Sequence, residues 1–319
     1  MLARAQRALF TTLSPVRVAN TPSLKRSLGQ HLLVNSGVLQ DIVNASHLRA
    51  TDHVLEVGPG TGNLTLLLLE RAARVTCVEY DHRMVAQLQE RFPSEIASGR
   101  LEIIRDDFAK FDLKSIDPID MCVANIPYNI SSPIVAKLLS QKVDPVLRAS
   151  VLMVQEEFAL RLMATVGTKN YSRLSVNTAF QADVTTVVKV PRKNFVPPPK
   201  AAPVDSRVIK IERKVEQPDA ATLAKMDTFL RIAFQRKNKT LRSQLTANFA
   251  QELIVSDLDA AGRKEAVLAT LAAHDLSDTR AVKLTSDQFL RLLRALEAAG
   301  VAFAPSTFHA FGDMMLDDH

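Results

Sequence analysis

HVLEVGPGTG, residues 53–62, is an apolar run that breaks into a turn with glycine at every second position, Gly58, Gly60 and Gly62. A helical stretch over residues 64–73 follows, and then a second apolar run, RVTCVEYD at 74–81. Strand, helix and strand with a glycine-rich first turn make a βαβ unit, whose two strands must run parallel. The alternation continues with a helix over 83–92, strands at 101–105 (LEIIR) and 121–125 (MCVAN), a helix over 133–139, a strand at 149–155 and a helix over 156–164. Residues 175–180 and 183–190 read as a late pair of strands, and 208–211 as another. The fold class is α/β, an open sheet in which ligands sit beyond the carboxyl ends of the strands.

After Glu212 the composition changes. Met226, Leu230, Ala233, Phe234, Leu241 and Leu245 recur at helical spacing, and the same first helix carries Arg231, Arg236, Lys237, Lys239 and Arg242. A later helix starts near Ser286, with Thr285 and Gln288 placed for a capping box and Gly300 as its stop. PRKNFVPPPK at 191–200 reads as a stiff basic connector ahead of this region. The expected organisation is a basic arm over 1–26, an α/β domain over 27–212 and a small all-helical domain over 213–319.

The chain has 319 residues, 47% of them apolar and 23% charged, which suits a globular protein with a sizeable core. No apolar run approaches the roughly 20 residues that cross a bilayer, so no membrane association is expected. A net charge of +6 favours a polyanionic partner, because fixed Lys and Arg release counterions from phosphates. The two cysteines, Cys77 and Cys122, each fall inside an apolar strand and supply neither a disulfide framework nor a metal site. The first 26 residues hold Arg4, Arg7, Arg17, Lys25 and Arg26 and no acid. That composition fits a mitochondrial presequence, with a disordered RNA-touching arm as the alternative.

The glycine turn brings backbone amides against a ligand, as nucleotide-binding loops do. Its spacing is G-x-G-x-G, not the G-x-G-x-x-G of dinucleotide sites. Glu79 stands at the end of the second strand, seventeen residues beyond Gly62, where a carboxylate accepts two hydrogen bonds from ribose hydroxyls. Asp107, after the strand at 101–105, is placed to accept from an adenine amine, with Asp106 as its rival. The pocket is one for an adenosine with no place for a pyrophosphate, which points to S-adenosylmethionine ahead of NAD.

The strand at 121–125 ends in Asn125, Ile126, Pro127 and Tyr128. Methyl transfer to an exocyclic amine needs the nitrogen lone pair free of the ring. The Asn125 side-chain oxygen and the Ile126 carbonyl can take its two N–H bonds, favouring a pyramidal nitrogen. Pro127 locks φ and so fixes the carbonyl before it, and Tyr128 can stack on an extruded base.

With these residues in place, the chain resembles the small-subunit ribosomal RNA adenine dimethyltransferases, the KsgA-like dimethyladenosine transferases, and their eukaryotic branch in particular. The resemblance covers residues 27–303 and rests on SLGQHLLVN, VLEVGPGTGNLT, VANIPYNISSP, EFALRL, YSRLSVNT, NFVPPP, RIAFQRKNKTL and DQFLRLLRALEAAGVAF. It implies a Rossmann-like methyltransferase domain in which Gln30, His31 and Leu33, with Gly58, Gly60, Gly62, Glu79, Asp107 and Asn125, form the cofactor site. It implies that two adjacent adenosines near the 3′ end of small-subunit rRNA, presented by an immature subunit, are each methylated twice. It also implies that Phe195 faces Tyr128 across the target adenine, and that the helical domain holds the rRNA by its phosphates. A monomer is expected. The family follows its prolines with Lys-Val and an acid, whereas here Ala201 to Pro203 intervene before Val204. Other readings are a non-catalytic ribosome-assembly or mitochondrial transcription factor of the same descent, and a methyltransferase of DNA or large-subunit rRNA; the RKNKTL stretch weighs against the last. The expected compartment is the mitochondrial matrix, with the nucleolus as the alternative.

Overall fold

A computed structural model of the chain describes residues 32–33, 35–140, 147–196 and 205–306. The arm over 1–26, Gln30, His31, the prolines 197–199 and the insertion at 201–203 lie outside these. The first elements in chain order are β1 (Leu32–Leu33), α1 (Ser36–Ser46), β2 (His53–Val57), α2 (Asn63–Leu69), β3 (Arg74–Glu79), α3 (His82–Arg91), α4 (Pro93–Ala97) and β4 (Leu101–Arg105). They are followed by β5 (Met121–Asn125), α5 (Ser131–Leu139), β6 (Ala149–Gln155), α6 (Glu156–Leu162), α7 (Arg173–Gln181), β7 (Ala182–Val190), β8 (Phe195–Val196) and β9 (Ser206–Arg213).

One seven-stranded sheet runs in the order β4, β3, β2, β5, β6, β9, β7. The strands from β4 to β6 are parallel, and β9 runs antiparallel to β6. Every residue of β2 and five of the six in β3 are buried, as strands covered on both faces must be. The strand order turns back between β2 and β5, the position where an α/β sheet opens a crevice for ligand. Leu39, Ile42 and Val43 of α1 pack with Leu68, Leu69, Val75, Val123 and Val151 in the core beneath it. Cys77 and Cys122 are free, buried strand residues, and burial pushes both thiols up.

The chain divides into two compact units, one holding the described residues up to Ala159 with Val184–Arg213, the other Leu160–Asp183 with the described residues from Lys214 on. The second unit thus draws in a segment from inside the α/β part. That segment contains the first correction: residues 175–180 belong to helix α7, not to a strand. Eight of its nine residues are buried, so no polar stripe marks a helical period. Its start is set by Ser172 and Ser175, whose reciprocal hydrogen bonds form a capping box.

The second unit continues with α8 (Ala220–Phe234), α9 (Leu241–Leu245), α10 (Asn248–Gln251), β10 (Ile254–Val255), α11 (Ala260–Ala273), α12 (Ser286–Ala298) and β11 (Ala302–Phe303). Phe229, Phe289 and Phe303 pack together at its centre. The Thr285–Gln288 capping box and the left-handed Gly300 (φ +81°) bound α12 as the sequence suggests. The first helix is shorter than its periodicity implies: α8 ends at Phe234, and Arg236, Lys237 and Lys239 lie in the turn before α9. Residues 191–196 are not a connector to this unit, because β8 pairs antiparallel with β1 inside the first.

The βα turn after β2 is held from below. A Cβ added at Gly62 (φ +79°) would stand 2.6 Å from Phe92 and 2.7 Å from Leu88, both buried against it. The turn therefore needs a left-handed residue with no side chain. Gly62→Ala is expected to destabilise the fold by about 2–4 kcal/mol, from the left-handed backbone and the overpacked contact together; denaturant melts of the two proteins check it.

Candidate active site

The glycine turn and the turn after β5 meet. Gly58 is left-handed (φ +67°), and a Cβ placed on it would lie 3.3 Å from Cδ of Pro127. Gly60 (φ +56°) donates its backbone N–H to Glu79 Oε2 at 3.2 Å, while Asp81 N–H donates to Oε1 at 2.8 Å. Both carboxyl oxygens at the end of β3 are thereby aimed. Burial pushes Glu79 above the usual carboxylate range, and those two backbone donors act against the shift.

At the end of β5, Pro127 has φ −59° and ψ 131°, and a 3-10 turn over Tyr128–Ile130 leads into α5. The Pro127 carbonyl accepts from Ile130 N–H at 3.2 Å and from Ser131 Oγ at 3.3 Å. Tyr128 is buried, and its hydroxyl lies 2.5 Å from Ser206 Oγ. Phe195 reaches it through the pairing of Leu33 with Phe195 across β1 and β8. Asn35 Nδ2, just beyond β1, donates to Asn194 Oδ1 at 2.9 Å and fastens the same two segments.

Phe195 and Tyr128 do not form parallel jaws. Their rings are edge to face, centroids 6.4 Å apart and planes at 73°, and Phe195 is 1% exposed. A base cannot lie between two rings in that arrangement. In this structure the aromatic pair is closed on itself, with Phe195 outside the cavity lining.

The cavity between these turns has a volume of about 330 Å³. Gly58, Gly60, Glu79, Asp107, Asn125, Ile126, Pro127, Tyr128 and Leu33 all line it, as does the rival acid Asp106. Gly62 does not, since its requirement is the packing against Phe92 and Leu88. Asp107 Oδ1 accepts from Ala109 N–H at 3.0 Å, whereas Asp106 is exposed and its Oδ1 accepts from Asp107 N–H at 2.7 Å. The sequence reading missed Glu56, Tyr80, Met84 and Phe108. Glu56 could have been found, being an acid in the middle of an apolar strand. Tyr80, 61% exposed at the cavity rim, carries no such mark.

Four carboxyls line this cavity and, among the described residues, no Lys, Arg or His does. Such a site repels a pyrophosphate and favours a cation. Glu79, Asp107 and Asp106 are acids able to accept from hydroxyls or an amine, and with the apolar walls of Leu33, Val57, Val78, Met84 and Phe108 they fit an adenosine joined to a positively charged group. The donor set therefore fits S-adenosylmethionine.

Glu56 is 1% exposed, accepts from Thr65 Oγ1 at 2.6 Å and meets Cys77 Sγ at 3.6 Å. Burial pushes its carboxyl up to about 7. Below pH 4.5 folded and unfolded chains both hold this proton; between there and 7 only the folded chain does, so stability is lost as pH rises. Relative to Glu56→Gln, the wild type is expected to lose roughly 3 kcal/mol over that interval, read as the difference between denaturation midpoints at pH 5 and pH 7.5.

Residues 22–267 match the family described as ribosomal RNA adenine dimethylase. A probable dimethyladenosine transferase of Dictyostelium discoideum is 41% identical over 294 residues, covering 88% of this chain and 91% of the relative. The dimethyladenosine transferase of Saccharomyces cerevisiae is 40% identical over 294 residues, covering 87% and 90%. The crystal structure of a dimethyladenosine transferase from Plasmodium falciparum superposes with a TM-score of 0.71 at 34% identity, over 86% of this chain and all of that one. The 23S rRNA methyltransferase ErmE gives 0.60 at 27% identity, over 83% and 99%. With its sheet order, glycine turn and Asn-Ile-Pro-Tyr turn, the chain belongs to the ribosomal RNA adenine dimethylase family.

Proposed function

We propose that the cavity binds S-adenosylmethionine and that the chain dimethylates the N6 amines of two adjacent adenosines near the 3′ end of small-subunit rRNA, on an immature subunit. That it is an rRNA adenine dimethyltransferase follows from its family. The observation that carries this reading is the close approach of Pro127 to Gly58 beside a cavity lined by Asn125, Ile126 and four acids and, among the described residues, by no Lys, Arg or His.

Glu79 would take the ribose hydroxyls, Asp107 the adenine amine, and Glu56 with Glu79 the positive charge. Bound there, S-adenosylmethionine supplies an electrophilic methyl group. The chain's own part is to hold the acceptor nitrogen: Asn125 Oδ1 and the Ile126 carbonyl accept its N–H bonds, and Pro127 keeps the peptide from turning away. A base arriving at Tyr128 must displace the edge of Phe195, so the aromatic pair opens when substrate binds. In the second unit, Arg231, Arg236, Lys237, Lys239 and Arg242 are exposed around the α8–α9 turn, a phosphate-binding surface for the rRNA. The protein would act as a monomer, and the Arg-rich, acid-free residues 1–26 would direct it to the mitochondrial matrix.

Purified chain, labelled donor and immature small subunits should yield labelled dimethyladenine, and Asn125→Ala should lower the rate by about 10²–10³. Unchanged labelling in that variant overturns the acceptor role. A fluorescent fusion of residues 1–26 should enter the matrix; a nucleolar or cytosolic signal selects the other compartment.

A further inference from the structure

Residues 107–111, directly after β4, form a single isolated helical turn: Lys110 and Phe111 N–H both bond the Asp107 carbonyl, at 2.8 and 2.9 Å. Such a turn leaves its later carbonyls without partners from its own backbone. Lys137, on α5, fills that place. Its Nζ donates to the Phe108 carbonyl and to the Phe111 carbonyl, both at 2.6 Å, and stands 5.2 Å over the Phe108 ring. Phe108 and Phe111 are buried and stacked on each other, so the turn has one seat. Burial lowers the Lys137 ammonium, and Asp107, Asp112 and Asp106 act to keep its charge.

We infer that Lys137 is a positioning residue for the methyl donor, a strut from the helix behind the Asn-Ile-Pro-Tyr turn that sets the Asp107 carboxyl for the adenine amine. Two charge-assisted hydrogen bonds at one end of a five-residue turn are strong enough to fix it, and no other side chain bonds those two carbonyls among the described residues. Asp107 Oδ1 is taken by Ala109 N–H within the same turn, which leaves Oδ2 to the ligand. Any tilt of the turn therefore carries the acceptor with it. Because α5 begins where the 3-10 turn of Tyr128–Ile130 ends, the strut ties the donor's adenine end to the element that holds the acceptor base.

The inference rests on the reading of the cavity as an S-adenosylmethionine site, and calorimetry on the full chain separates the two. The probes are S-adenosylhomocysteine and its 6-deamino analogue, whose purine lacks the amine. Wild type should bind the first about tenfold more tightly, the value of one hydrogen bond to a charged acceptor. Lys137→Met, which keeps the apolar stem, should lose that preference while binding the deamino analogue as wild type does. Should that variant lack a cooperative melt, Lys137→Gln, with one amide for two carbonyls, should show a preference reduced by half or more. Equal losses for both ligands, or none, would overturn the strut alone. A wild type that binds neither ligand would overturn the cavity reading and the strut with it.

Discussion

Pro127 stands where a side chain on Gly58 would go, and the site is built around that close approach. A side chain on Gly58 would stand 3.3 Å from the proline ring, and its left-handed φ would be strained as well. Glycine allows the turns after β2 and β5 to close on each other at the point where strand order reverses. The turn after β2 delivers Gly60 N–H to Glu79; the turn after β5 delivers Asn125 and Ile126. The proposed donor and acceptor halves of the chemistry would thus share one seam.

That seam is braced by groups that never face the cavity. Arg91 at the end of α3 donates to the Thr61 carbonyl at 2.5 Å and to Asn63 Oδ1 at 3.0 Å, gripping the glycine turn from behind. Phe92 and Leu88 fill the space under Gly62. Ser206 holds the Tyr128 hydroxyl, and Asn35 with Asn194 fastens the short β1–β8 ladder. Glu79 is oriented by the Gly60 and Asp81 backbone amides, and Glu56 by Thr65 Oγ1 and Cys77 Sγ. Burial still pushes both carboxyls up, so a cationic ligand beside them would favour their charged forms and couple affinity to charge.

Much of this was legible because its signals are local. The G-x-G-x-G turn, the acid closing β3 and the proline after β5 each state their backbone needs in a few letters, and strands β4, β5 and β6 fall where their apolar runs lie. Helix α7 was not legible, since a helix buried on all sides has no stripe to read. Nor was the role of Gly62, which looks like its two neighbours in sequence and differs only in what lies beneath it. The edge-to-face closure of Phe195 on Tyr128 joins residues 67 positions apart through a two-residue ladder, and no periodicity records it.

Two transfers to one nitrogen place different demands on this geometry. In the proposed mechanism an unmodified adenine presents two N–H bonds, enough to engage both Asn125 and the Ile126 carbonyl. After one methyl is added a single N–H remains, so only one of the two oxygens can be satisfied and the other faces a methyl group. An unpaired acceptor at a buried wall costs about 1–3 kcal/mol. The wall can offset that cost only if the methyl finds apolar contact nearby, and Ile126, Tyr128 and Ile130 of the same lining are the residues that could supply it. On this reading the apolar residues flanking the acceptors serve the second transfer, and the acceptors themselves serve the first.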